Sequence, residues 1–113
     1  MRKASSTRVE GRPCRWGDAI DDSWRPELIL GSDVTYDRDG HDRLAATLAA
    51  LVERGASGVL AHQHRRVASF LSGESQLASF LDASAAAGLA VETVHVDAAN
   101  PLAPVEILRV VGR

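Results

Sequence analysis

Asp33 and Tyr36 stand three residues apart in the stretch LILGSDVTYD, residues 28–37, where an apolar run gives out. A carboxylate and a phenol at that spacing could hold a cationic or hydrogen-bonding ligand. Asp33 would accept from it, and Tyr36 would stack on it or bond through its hydroxyl. Both types have plainer uses. Aspartate commonly caps helices or closes Asx turns, and a lone tyrosine is most often a half-buried ring with a wet hydroxyl. A second polar cluster, HQHRR at 62–66, follows another apolar run, SGVLA at 57–61. His62 and His64 would share one face of an extended segment. With Asp33 on a neighbouring strand they could hold a metal for a hydrolase, but H-x-H alone is a weak metal signal. Arg65 and Arg66 read as solvated charge, and His41 and His95 show no partner in the sequence. Trp16 could form a flat wall for an aromatic ligand or simply pack, and Trp24, before a proline, reads as a packing residue.

These groups need elements to place them. Residues 27–33 read as a strand whose Leu28, Ile29 and Leu30 are covered on both faces. DRDGHD at 37–42 is a loop, and from His41 the pattern turns helical. Leu44, Leu48 and Leu51 recur at helical spacing, with Gly55 as the stop. SGVLA predicts a second strand. A second helix is expected over 74–87, with Leu77, Phe80 and Leu81 as its apolar stripe and Gly88 as its end. LAVETVHV at 89–96 and PVEILRVV at 104–111 read as two more strands, and RPCRW at 12–16 as a short early one. Strands alternating with helices imply an α/β fold with right-handed crossovers and a mostly parallel sheet. The connection DAANPLA between the last two strands suits a hairpin and is too short for a crossover, so the sheet should end in an antiparallel hairpin. In open α/β sheets ligands bind beyond the carboxyl ends of the strands. Residues 33–36 and 62–66 both fall there.

The 113 residues suit one domain, expected over 9–113 after a flexible basic N-terminus at 1–8. A net charge of -2 implies no general attraction to nucleic acid or membranes, and no apolar run approaches the ~20 residues of a membrane span. The single cysteine, Cys14, leaves no internal disulfide and fits a reducing, cytoplasmic setting. The sequence holds no P-loop, no G-x-G-x-x-G, no cysteine pair and no G-x-S-x-G elbow.

RWGD at 15–18, LILGSDVTYD at 28–37, the Leu-rich helix and GVLAHQHRR at 58–66, in that order, resemble the METTL-type protein-lysine methyltransferases. These are class I seven-β-strand enzymes that use S-adenosylmethionine. The resemblance implies the C-terminal part of a Rossmann-like sheet, with D-V-T-Y matching the family's D-x-x-Y motif. It implies Asp33 and Tyr36 as catalytic residues at the substrate-lysine channel. Trp16, Ser32 and Asp33 would line the cofactor, Trp16 on the adenine side. Arg65 or Arg66 would match the family's arginine after the fifth strand. Arg15 departs from the acid that relatives carry before the tryptophan. The resemblance covers the C-terminal half of the family's domain, so a truncated protein with an incomplete cofactor site is expected, its methylation by the isolated chain left open. The expected partner is a protein lysine. The alternative is a non-catalytic α/β interaction module whose unprotected edge, ELILGSD at 27–33, pairs with another protein.

Overall fold

The computed structural model describes residues 9, 11–35, 38–64, 66–67 and 70–113, and for 66–67 and 70–75 the backbone alone. The expected flexible terminus at 1–8 lies outside the described residues. The elements run β1 (Leu28–Ser32), a 3-10 turn (Arg38–Gly40), α1 (His41–Glu53), β2 (Ser57–Gln63), β3 (Arg66–Val67), β4 (Phe70–Leu71), α2 (Ser72–Ala86), β5 (Leu89–Asp97) and β6 (Val105–Gly112). A four-stranded sheet has the order β1-β2-β6-β5, and β3 with β4 makes a separate two-stranded ribbon.

The alternation of strands and helices is as expected, but the pairing is not mostly parallel. Among the described residues only β1 and β2 pair parallel, while β2–β6 and β5–β6 are antiparallel. β5 points the same way as β1 and β2, yet the returning strand of the terminal hairpin lies between β5 and β2. A short connection forces β6 to run against β5, and its place in the order makes it antiparallel to both neighbours. A bulge between Thr93 and His95 sets Val94 outside the ladder.

The helices form where the apolar spacing put them. Leu44, Leu48 and Leu51 are buried on α1. The helix ends in a Schellman arrangement: Gly55, at φ 104°, donates to the Val52 carbonyl, and Ala56 donates to that of Leu51. On α2, Phe80 is fully buried and Leu77 packs partly against the core, while Leu81 points outward and is 37% exposed. The stripe is thus one residue narrower than its sequence suggested. Leu44, Leu48, Leu60, Phe80, Leu89, Leu108 and Val110 make one core between the helices and one face of the sheet.

The other sheet face is open. Along β1 the exposure alternates, with Leu28 at 53% and Leu30 at 73% against a part-buried Ile29. The expectation of a strand covered on both faces is therefore corrected. β1 is an edge strand, and only its helix-side residues meet a second layer.

RPCRW forms no strand. This part of the chain has no ladder partner among the described residues and is tied to α1 by single bonds instead. The Gly17 amide, at φ 88°, donates to Thr47 Oγ1 at 2.7 Å. Arg54, just past α1, donates to the carbonyls of Asp21, Trp24 and Ile20 at 2.7, 3.1 and 3.1 Å. One guanidinium thus satisfies three carbonyls that no strand reaches. Arg54→Met keeps the stem and removes those bonds. We expect a loss of about 2 kcal/mol, as for hydrogen bonds from a charged donor. Hydrogen exchange at the Trp24 amide, bonded to Asp21 in the native fold, should accelerate more than exchange in β6.

Candidate functional site

β1 and β2 run side by side in register from Leu28 opposite Ser57 to Ser32 opposite Ala61, so their carboxyl ends finish together. Gly31 allows this. A Cβ there would come within 2.7 Å of Leu60 Cδ2 and 3.3 Å of Val34 Cγ2, so a side chain would push apart the strand and the loop folded over it. Val34 packs against the core, and Thr35 behind it is 1% exposed. Asp33 lies between, exposed, with φ at 59°. That left-handed conformation is uncommon for residues other than glycine, though aspartate tolerates it better than most. Its amide donates to the Ala61 carbonyl at 3.4 Å.

Ser32 is exposed beside Asp33 and lines a shallow recess of about 360 Å³ on the open sheet face, with Leu30, Gly31, Val59, Ala61 and Ile107. Trp16, 43% exposed, lines a different recess of about 390 Å³ with Arg15, Asp18, Gly40 and Arg43, at the start of α1. The two recesses share no residue. Tyr36 and Arg65 lie outside the described residues, and of Arg66 only the backbone, opening β3, is described.

Beneath the carboxyl end lies a polar cluster that sequence reasoning caught only in part. His62 and His64 do share a face, their rings edge-on with centroids 4.8 Å apart. They do not gather a metal with Asp33. His62 is 1% exposed, and its Nδ1 is hydrogen-bonded to Thr35 Oγ1 at 2.6 Å, while His64 Nε2 bonds Glu106 Oε2. Among the described residues no group of three His, Cys, Asp or Glu side chains could hold a metal ion. His41, which showed no partner in the sequence, is buried with both ring nitrogens engaged. Thr35, Ser79, Thr93 and Glu106 were missed. The available signal was a glutamate amid the apolar residues of β6, directly opposite His62.

Glu106 joins the cluster to the hairpin. Its Oε1 accepts from the Thr93 hydroxyl at 3.0 Å. Partial burial pushes its carboxyl up, but the hydrogen bonds from His64 and Thr93, with the charges of His64 and His62, outweigh that and lower its pKa.

The fold is thus α/β with polar groups converging at the carboxyl end of a parallel strand pair, a placement typical of ligand sites in this class. A family model described as lysine methyltransferase matches residues 1–77 of the 113, a span that contains both β1 and β2 with the segments that follow them. The chain belongs to the lysine methyltransferase family. No curated protein matches it. Membership implies S-adenosylmethionine as the methyl donor in general. Ser32 and Asp33 are exposed together at the strand end, while Trp16 stands in its own recess.

The lowered carboxyl gives a pH prediction. Stability contributed by Glu106 is complete above the ordinary glutamate pKa and is lost as pH falls through the lowered one. Glu106→Gln should therefore be less stable than the parent at neutral pH and lose less on acidification. Thermal unfolding from about pH 7 to about pH 3 should show the two melting curves converging at the acid end.

Proposed function

We propose that this chain carries the substrate-amine end of an S-adenosylmethionine-dependent protein-lysine N-methyltransferase, built on the C-terminal part of a Rossmann-like class I sheet. The observation that carries the proposal is Asp33: an exposed carboxylate in a left-handed backbone conformation, fixed beyond the last rung of the one parallel ladder among the described residues. Strained backbone held in place at a strand end is a mark of functional loops. S-adenosylmethionine, when bound, supplies an electrophilic methyl group. This chain's task is to present a neutral lysine amine to it, and orientation dominates the rate of such a displacement. Asp33 accepts a hydrogen bond from the incoming amine, and Tyr36, by its place in the D-x-x-Y motif, borders the channel. Ser32 and Asp33 border the methyl-donor end of the cofactor, and Trp16 faces its adenine side.

The test is nitrogen-15 NMR of the chain titrated with a peptide bearing a central lysine, and with the same peptide carrying norleucine. Amides at 32–35 should move with lysine only. A lysine peptide that shifts other amides and leaves this segment still would sink the reading. Asp33→Asn makes it sharper, because asparagine also tolerates the left-handed conformation. Its melting temperature should stay within a few degrees of the parent, a change of about 0.5 kcal/mol, while the lysine response disappears.

A second reading, a non-catalytic module that binds a protein, is favoured by one observation. The edge strand β1 carries two exposed leucines, Leu28 and Leu30. Exposed apolar edges are templates for strand pairing. Sedimentation as a monomer at high concentration would count against it. No described helix is long and apolar enough to cross a membrane.

A further inference from the structure

We propose that His41 and His62 are positioning residues that grip Thr35 from two sides and so set the backbone on which Asp33 presents its carboxylate. The effect on lysine binding rests on the functional reading above; the grip itself does not.

Thr35 is held through both its polar groups. Its carbonyl accepts from His41 Nε2 at 2.7 Å, and its hydroxyl is bonded to His62 Nδ1 at 2.6 Å. All three residues are 1% exposed. A carbonyl oxygen can only accept, so His41 must carry a hydrogen on Nε2. In the neutral ring Nδ1 is then an acceptor, and the Ser79 hydroxyl lies 2.9 Å away to donate to it. Phe80 packs against the same ring in a T-shaped contact, centroids 5.7 Å apart. One arm of the grip is thus fixed by α2. The other is fixed by the hairpin, since His62 packs on His64, and His64 is bonded to Glu106, which Thr93 holds.

The strained residue lies between two anchors. Upstream, the Asp33 amide is bonded to Ala61, and downstream, two residues on, is the gripped Thr35. A non-glycine residue keeps a left-handed conformation only where its surroundings over-determine it. Free of the Thr35 anchor, the segment would relax toward ordinary φ values, and the carboxylate would swing with it. Both histidines reach the loop at Thr35, and through it their action passes to Asp33.

The test compares Thr35→Val, which keeps the shape and removes the hydroxyl, with Thr35→Ser, which keeps the hydroxyl. Backbone NMR of the full chain reads the Asp33 and Val34 amides, with β5 and β6 as the control for folding. We expect Thr35→Val to displace those two amides while the control stays in place, to weaken lysine-peptide binding about tenfold, a fraction of what a 1 Å misplacement can cost, and Thr35→Ser to restore both. If Thr35→Val loses the control signals, His62→Asn and His62→Leu replace it. Asparagine can offer a polar atom near the place of Nδ1 and should keep the Asp33 amide in position, and leucine should not. An Asp33 amide unmoved in Thr35→Val, or equally moved in both members of either pair, overturns the grip. So does a wild-type His41 ring protonated at Nδ1 alone. A wild-type chain that ignores the lysine peptide overturns the functional reading only, and the Asp33 amide still decides the grip.

Discussion

Ser32 opposite Ala61 is the last rung of the parallel ladder, and the arrangement of the site depends on it. Because β1 and β2 end level, the loop leaving β1 can fold directly over the end of β2. Asp33 then bonds back to Ala61, Val34 drops onto the core beside Leu60, and Thr35 reaches His62, one residue past the rung. A slip of one residue would turn Leu60 and His62 to the open face and reverse every one of these contacts. The register is specified by burial. Gly58, Leu60 and His62 alternate inward along β2, and the bare Gly31 is what lets Leu60 close against β1.

The polar cluster beneath the loop is stable because its members satisfy one another. Buried imidazoles and hydroxyls without partners would each cost on the order of 1–3 kcal/mol. Here His41, Thr35, His62, His64, Glu106 and Thr93 are bonded or stacked in sequence, and every described element of the main sheet except β1 itself contributes a member. Such a network gives little net stability per bond, yet it penalises any arrangement that breaks it. The apolar core fixes the layers. The cluster fixes which loop conformation can sit on top of them.

Much of this was legible from residue spacing. Leucines at 44, 48 and 51 gave α1, the glycines at 55 and 88 gave both helix ends, and the short DAANPLA connection gave the hairpin. The insertion of β6 next to β2 was not legible, since spacing within a strand says nothing about its place in the sheet order. Nor was the open face of β1. A run of Leu, Ile and Leu reads as doubly buried whether or not a second layer exists. At the site, the position of Asp33 was readable from the end of the apolar run, but its left-handed backbone was not. The partners of His41 could not be found, for a different reason in each case. Ser79 is 38 residues away, and the Thr35 contact is to a backbone carbonyl, which carries no residue signature.

The strain at Asp33 follows from the two-sidedness of the sheet. Ser32 belongs with Leu28 and Leu30 on the open face, whereas Gly31 abuts Leu60 and Val34 on the helix-covered face. A chain continuing as a strand would carry residue 33 inward and 34 outward, leaving Val34 in water. The left-handed turn at Asp33 reverses that alternation, so Val34 and Thr35 both go under while Asp33 stays out. Partly burying Val34 is worth up to about 1.5 kcal/mol, comparable to the cost of the uncommon backbone conformation. The Thr35 bonds tip the balance. A carboxylate is thereby left standing on the line between a packed face and an open one, anchored by groups that solvent does not reach.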